Sequence, residues 1–139
     1  GEGSLKNEYI NQVKKIKLED EIIFNGKTAN PFPYYKNAIF TVLTSKNEGF
    51  PTVLLESLVC ETPVIAYDCQ SGPNEIIANN ENGILVENQN QQKMIAAINE
   101  MVSNKNLYLH CKKNAKTSVE KFSIQNIGNQ WLQLFNSLK

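Results

Sequence analysis

The sequence predicts an α/β domain in which a parallel, Rossmann-like sheet is covered by helices on both faces. Three observations carry this prediction. Short apolar runs alternate with stretches of helical periodicity along the chain, as in a sheet whose strands are joined by crossover helices. Residues 39–44 and 64–67 are nearly continuous in apolar character, as strands buried on both faces are. The 139 residues, 41% of them hydrophobic, are enough for one domain with its own core.

Local signals define the elements in chain order. Apolar residues at helical spacing predict a helix over residues 5–17, and residues 21–25 read as a short strand stopped by Gly26. A Pro-rich loop and one helical turn at 34–38 lead into the strand at 39–44. Pro51 suits the first position of a helix over 52–60, because its missing N–H is not needed there. The later predicted elements are strand 64–67, short helix 74–78, strand 83–86, and helices at 91–102, 107–120 and 124–138.

Composition excludes several classes of function. Lysines and acidic residues number 14 each, and a protein that binds nucleic acid normally carries a basic excess, so no nucleic-acid partner is expected. Every basic residue is Lys, and Arg is the usual bidentate clamp for phosphate, so an anion site must use Lys, backbone amides or a partner. Cys60, Cys69 and Cys111 lack metal-ligand spacing and His110 has no second histidine, so we predict reduced thiols and no metal site. No apolar run approaches the roughly 20 residues that span a bilayer.

Three polar loops follow the predicted strands and form the candidate site, because ligands of open parallel sheets bind beyond the carboxyl ends of strands. They cover residues 26–28, 45–51 and 68–73. The middle loop runs into a helix start, where free N–H groups and the helix dipole favour an anion. A helix beginning near Pro51 would direct the amides of Thr52, Val53 and Leu54 at a phosphate without any arginine.

Two carboxylates, Glu48 and Glu56, frame this helix start. A carboxylate accepts hydrogen bonds well from vicinal hydroxyls, so their spacing suits a ligand with sugars on either side of a phosphate. Spacing alone leaves an alternative open, in which Glu48 caps the first turn and Glu56 is a solvated helix residue. Tyr34 and Tyr35 are interpreted as packing residues rather than ligand contacts, and so is the apolar stripe of the last helix, formed by Trp131, Leu132, Leu134 and Phe135.

The string EGFPTVLLE, from Glu48 to Glu56, resembles the E-x7-E signature of retaining glycosyltransferases with the GT-B fold, in family 4 (group 1). Matching blocks flank it in the family's order and extend the resemblance over essentially the whole chain. These blocks are residues 38–45, 57–68 and 82–86, the segment 71–77 (SGPNEII) typical of surface-polysaccharide and lipopolysaccharide members, Phe24-Asn25-Gly26, and the glycine turn Gly1-Glu2-Gly3.

The resemblance implies a role for each matching residue. Glu48 would be the catalytic residue, contacting donor-sugar hydroxyls and positioning the anomeric carbon, and Glu56 would bind the ribose hydroxyls. The other donor-binding residues would be Gly49, Phe50 and Pro51 at the sugar and phosphate, Val53 and Leu54 at the diphosphate, and Gly26, Lys27 and Thr28 at the base. The family uses no metal, so the resemblance implies no cofactor and a UDP-sugar as donor substrate.

By the same resemblance, residues 1–139 would be part of the C-terminal, donor-binding domain of a GT-B enzyme, truncated so that its first strands and the N-terminal domain are missing. We expect such a fragment to be inactive alone and its exposed sheet edges to favour strand rearrangement or oligomerisation. The full enzyme would transfer a hexosyl group to a glycan or lipid-linked glycan acceptor, with retention, in bacterial polysaccharide or lipopolysaccharide synthesis. It would be cytoplasmic and work peripherally at the inner membrane face.

Two other readings remain open at this point. One is a nucleotide-sugar-binding α/β module without catalysis. The other is a receiver-like domain that binds no nucleotide, although its acidic residues would follow a first strand, whereas Glu19, Asp20 and Glu21 precede one here.

Overall fold

The computed structural model describes residues 2–138 and divides the chain into two compact units, one up to Pro31 and one from Phe32 onward. The first unit contains helix α1 (Lys6–Lys15), whose buried residue is Val13. Gly1, part of the glycine turn expected from the resemblance, lies outside the described residues.

The strand predicted at residues 21–25 is wrong. The amides of Glu21 and Ile22 both donate to the carbonyl of Leu18 in a turn, and the segment that follows is irregular. Its central residue, Ile23, is 77% exposed. High β propensity does not make a strand unless a neighbouring strand completes the ladder, and none pairs with this segment within residues 2–138.

A parallel three-stranded sheet organises the second unit, as predicted. Its strands are β1 (Thr41–Leu43), β2 (Val64–Asp68) and β3 (Gly83–Glu87), in the order β1-β2-β3. Val64 pairs with Thr41 on one side and with Gly83 on the other. Strand β1 is shorter than predicted because it lies at an edge of the described sheet, where Ile39 is 59% exposed.

Helices surround this sheet and agree closely with the predicted positions. They are α2 (Phe32–Asn37), α3 (Thr52–Val59), α4 (Pro73–Ile76), α5 (Gln91–Ser103), α6 (Lys105–Ser118), a 3-10 turn (Glu120–Phe122) and α7 (Ile124–Ser137). Asn90, Asn104 and Ser123 each accept the hydrogen bond of an amide in the first turn of α5, α6 and α7, which fixes where these helices begin.

Hydrophobic clusters cover both faces of β2, because successive side chains of a strand point to opposite faces. One cluster contains Val64 and Ala66 with Leu54, Leu58, Ile76, Ile77, Ala115 and Val119. The other contains Ile65 and Tyr67 with Val86, Met94, Ala97, Met101 and Cys111. The predicted two-sided burial is therefore confirmed for β2 but is wrong for β1, where Val42 is 38% exposed.

The apolar stripe of α7 does not pack into this core, contrary to the prediction. Trp131 and Phe135 stack on each other with ring centroids 5.6 Å apart, yet both side chains are 55% exposed. The stripe forms as the periodicity indicates, but no described element covers it. No helix within residues 2–138 is long and apolar enough to cross a membrane.

A buried asparagine and a glycine fix the start of β3. Asn82 is fully buried, accepts the amide of Ala78 at 3.0 Å, and donates to the carbonyl of Ile76 at 3.0 Å and to the hydroxyl of Ser118 at 2.8 Å. A side chain at Gly83 would collide with the backbone carbonyl of Val64, so the close pairing of these two residues requires glycine.

Candidate functional site

Two loops meet at the carboxyl ends of β1 and β2. The hydroxyl of Ser71, in the loop after β2, donates to the backbone carbonyl of Glu48, in the loop after β1, at 2.8 Å. Gly72 has φ +92°, and a Cβ there would lie 2.5 Å from Pro51 Cδ and 2.8 Å from the carbonyl oxygen of Gly49. The second loop therefore holds the first in place. Sequence reasoning grouped Ser71 and Gly72 into a family block but assigned them no such contact.

The N-terminus of α3 presents free backbone amides to this loop junction. Thr52 and Val53 donate no hydrogen bond to any described residue, whereas the amide of Leu54 donates to the carbonyl of Pro51 at 3.0 Å. Leu54, expected to offer its amide to a ligand, is thus engaged within the helix. No side chain caps this end, so the alternative in which Glu48 caps the first turn is wrong. An anion held here would bind the two remaining amides.

The two framing carboxylates have different surroundings. The half-buried side chain of Glu48 forms no hydrogen bond or ion pair with residues of the described chain. The carboxylate of Glu56, also half-buried, accepts a hydrogen bond from the Tyr35 hydroxyl at 3.1 Å. Glu56 is therefore not a freely solvated helix residue.

Tyr35 makes a polar contact that the packing interpretation did not foresee. Burial raises the pKa of its phenol to about 12, and the hydrogen bond to the Glu56 carboxylate acts in the same direction. The raised pKa extends into alkaline solution the range in which the phenol is neutral and able to donate. Tyr34, its neighbour, is 51% exposed, and no hydrogen bond to a described residue involves its hydroxyl.

Phe50, one of the predicted sugar-contacting residues, packs against an aromatic ring that also contacts a lysine. The Phe50 ring packs edge-on against Phe122, with centroids 5.3 Å apart. The ammonium of Lys121 lies 4.8 Å from the Phe122 centroid and donates to the carbonyl of Glu75 at 3.0 Å. A cavity of about 450 Å³ is lined by Lys121, Phe122, Asn74, Glu75, Ile127 and Gln130. A chain without arginine thus has a lysine over the ring that packs against Phe50.

The residues predicted to contact a base belong to the first unit. Gly26 adopts φ +70°, a conformation that favours glycine. Thr28 forms a local turn in which its hydroxyl accepts the amide of Asn30 at 3.2 Å, and Lys27 is exposed beside it. Phe24 lines a cavity of about 390 Å³ with Gly3, Ser4, Leu5, Lys6 and Tyr9.

Within residues 2–138, no three His, Cys, Asp or Glu side chains are grouped so that they could hold a metal ion.

The sequence and fold are similar to those of known proteins. The family model described as "Glycosyl transferases group 1" matches residues 1–118. The poly(ribitol-phosphate) alpha-N-acetylglucosaminyltransferase of Staphylococcus aureus (strain COL) is 33% identical over 138 residues, which cover 99% of this chain and 28% of that protein. A mutant of TarM from S. aureus, crystallised with Fondaparinux, alpha-GlcNAc-glycerol and UDP, has a TM-score of 0.87 at 33% identity, covering 98% of this chain and 28% of that one.

In a second solved structure, this chain matches a larger share of the other protein. It is the C-terminal domain of a glycosyl transferase group 1 family protein (LpcC) from Francisella tularensis. Its TM-score is 0.73 at 31% identity, covering 86% of this chain and 63% of that one. This chain spans about a third of the length of the curated relatives it matches.

Proposed function

This chain belongs to the glycosyl transferases group 1, and we propose that it is the donor-binding part of a retaining hexosyltransferase that uses a UDP-sugar. One observation carries the proposal. Two free backbone amides, of Thr52 and Val53, lie at the start of α3 and between Glu48 and Glu56 in sequence, after a loop fixed by its neighbour. A nucleotide sugar has the complementary order of groups, with hydroxyls on either side of a diphosphate.

Each group of the donor has a proposed partner. The free amides of α3, with the positive end of its dipole, bind the diphosphate and stabilise it as it leaves, an electrostatic role that uses no metal ion in this proposal. Glu56 accepts from the ribose hydroxyls. Glu48, whose side chain has no partner in the described chain, accepts from the donor sugar and positions its anomeric carbon. The exposed Phe50 ring offers an apolar surface beside the sugar.

The choice of UDP and of retention draws on the relatives. A TarM structure 33% identical to this chain contains UDP, and the S. aureus relative is named as an alpha-N-acetylglucosaminyltransferase. An α-linked product formed from an α-linked nucleotide sugar means that the anomeric configuration is retained. We therefore propose an α-linked hexosyl or N-acetylhexosyl transfer.

The acceptor is proposed to be a bacterial cell-surface glycan or a lipid-linked precursor. Relatives act, by their names, on poly(ribitol-phosphate), on a diphospho-undecaprenol glycan and in amylovoran biosynthesis. Such acceptors suit an enzyme that works at the cytoplasmic face of the membrane. The relatives are about three times as long as this chain, and we assign acceptor binding to the part of the enzyme that corresponds to their remaining length. The 139-residue chain alone is accordingly proposed to bind the donor without transferring sugar.

Calorimetric titration of the chain with UDP, with GDP as the comparison nucleotide, tests this function. We expect Glu56→Ala to weaken UDP binding about tenfold or more, because a hydrogen bond to a charged group contributes about 1.5–3 kcal/mol. Glu48→Ala should change UDP affinity by less than about threefold, since UDP lacks the donor sugar, but should lower turnover strongly in the full-length enzyme. Glu100→Gln, which removes an exposed charge on α5 and keeps an acceptor for the Asn104 side chain, is the matched control.

Three results would contradict the proposal. The first is UDP binding that Glu56→Ala leaves unchanged. The second is full-length activity that both glutamate substitutions leave near wild type. The third is steady sugar transfer by the 139-residue chain alone, which would refute the assignment of acceptor binding elsewhere. A preference for GDP over UDP would refute only the choice of uridine nucleotide and would leave the proposed binding residues unchanged.

A further inference from the structure

We propose that Tyr35 is a positioning residue, which orients the carboxylate of Glu56 toward the donor's ribose. This inference rests on the proposed function, because it presupposes that Glu56 binds the ribose. The contact that carries it is the hydrogen bond from the Tyr35 hydroxyl to Glu56 Oε2 at 3.1 Å, which joins α2 to α3 across 21 residues of sequence.

The contact leaves Glu56 well prepared for a pair of hydroxyls. A carboxylate offers about four lone-pair positions on its two oxygens, and the phenol occupies one of them on Oε2. Oε1 and the remaining lone pair of Oε2 stay available for a vicinal diol. A glutamate side chain on a helix otherwise samples several rotamers, and ordering them opposes binding. The phenol removes part of that cost before the ligand arrives.

Both ends of the contact are anchored to the same buried residue. The hydroxyl of Thr62 donates to the backbone carbonyl of Tyr35 at 2.7 Å. The hydroxyl of Ser57, the residue after Glu56, donates to the carbonyl of Thr62 at 3.0 Å and also lies 2.8 Å from the hydroxyl of Thr41 in β1. Thr62 is 3% exposed and Ser57 is fully buried.

These contacts form a closed ring from Tyr35 through Glu56, Ser57 and Thr62 back to Tyr35. An isolated exposed contact between two side chains contributes little because both must be ordered to make it. Here the backbone of each partner is already fixed, so the phenol and the carboxylate meet with little further loss of freedom. A ring of this kind determines the direction of the carboxylate as well as its position.

A nucleotide without the ribose diol distinguishes a positioning role of Tyr35 from a purely structural one. The probes are UDP and 2′,3′-dideoxyuridine diphosphate, which lacks the diol. Titration calorimetry would measure both affinities for the wild-type chain, Tyr35→Phe, Glu56→Ala and the control Tyr34→Phe. Tyr35→Phe keeps the ring and removes only the hydroxyl, and Tyr34→Phe makes the same change at the exposed neighbour.

We expect the wild type to prefer UDP over the dideoxy nucleotide by about tenfold or more, and Glu56→Ala to remove that preference. Tyr35→Phe should reduce the preference by about three- to tenfold while leaving affinity for the dideoxy nucleotide unchanged. Tyr34→Phe should behave as wild type. Equal weakening of both nucleotides by Tyr35→Phe would show a structural role and overturn the proposal.

Two further outcomes distinguish a failure of the Tyr35 proposal from a failure of the proposed ribose-binding role of Glu56. Full preference in Tyr35→Phe together with its loss in Glu56→Ala would refute the positioning role and leave the ribose role of Glu56 intact. A wild-type chain that binds both nucleotides equally, with Glu56→Ala unchanged, would refute the ribose role itself and the Tyr35 proposal with it.

Discussion

Replacing Gly72 with alanine should disturb the loop junction at the candidate site more than any other single methyl group added there. Gly72 has φ +92° and ψ −63°, a combination that side-chain-bearing residues rarely adopt. Its new Cβ would stand 2.5 Å from Pro51 Cδ and 2.8 Å from the carbonyl oxygen of Gly49. Neither neighbour is the free end of a flexible side chain, so the loop itself must shift.

The expected loss of stability follows from these two effects. A residue forced into such a backbone conformation costs about 1–3 kcal/mol. Overpacking against a well-packed neighbour costs about 1–3 kcal/mol more. We therefore expect Gly72→Ala to lower the free energy of unfolding by about 2–6 kcal/mol. Because the displaced atoms belong to Gly49 and Pro51, the substitution should also weaken UDP binding at the amides that follow them.

Urea unfolding followed by circular dichroism measures the first effect, and the slope of the transition shows whether unfolding stays two-state. Gly128→Ala is the matched control, since its Cβ would meet no atom within 4 Å in the middle of α7. That change should stabilise the chain by about 0.5–1 kcal/mol. The reasoning fails if Gly72→Ala loses less than about 0.5 kcal/mol, which is the range of ordinary surface changes.

Two further predictions concern buried groups. Asn82→Ala should lower the free energy of unfolding by about 2–4 kcal/mol, because it removes the three hydrogen bonds of a fully buried side chain and leaves the carbonyl of Ile76 without that partner. The exposed Asn129→Ala should change it by less than about 0.5 kcal/mol in the same urea titration, and equal effects would contradict this explanation. Stability should also decline in alkali: burial raises the pKa of Cys111 from 9.0 to about 11 and that of Tyr35 from 10.0 to about 12. Both groups then favour the folded state fully below pH 9, and this contribution is lost as pH rises toward 12. Urea midpoints between pH 7 and 11 would measure it, and a decline equally steep in Cys111→Ser with Tyr35→Phe would assign it to other groups.

Much of the second unit could be predicted because its signals are local. The continuous apolar run at residues 64–67 identifies a strand buried on both faces, which the structure shows as β2, and asparagine or serine caps mark where α5, α6 and α7 begin. The strand expected at residues 21–25 failed for the complementary reason. Strand formation depends on a partner strand, and three apolar residues in a five-residue segment do not indicate whether one lies beside them. The exposed stripe of α7 is a similar case, since periodicity predicts an apolar helix face but does not indicate which element packs against it.

In the candidate site, too, the local features could be predicted from the sequence and the contacts between distant residues could not. The E-x7-E string correctly located two carboxylates around a helix start that lacks a side-chain cap. What it could not give are the contacts made between distant loops, such as Ser71 with Glu48 and Tyr35 with Glu56. Ser71 and Glu48 are 23 residues apart and meet because the parallel strands bring their carboxyl ends to one edge of the sheet. Tyr35 and Glu56 are 21 residues apart and meet because α2 packs against α3. The sequence also could not show that the amide of Leu54 is unavailable to a ligand. Only the geometry of the first turn reveals that this amide donates to the carbonyl of Pro51.

The absence of arginine changes where such a site is vulnerable. An anion clamp made of guanidinium groups depends on side-chain charge, so removing one charge removes its contribution. The amides of Thr52 and Val53 are retained in every substitution except that by proline, and they need no side-chain ordering to bind. Their direction depends instead on the loop before α3, which Ser71 and Gly72 hold through one hydrogen bond and one close backbone contact. The strength of this anchor is therefore decided by the fit of two loops, and a methyl group at Gly72 should weaken phosphate binding more than the loss of an exposed lysine such as Lys46.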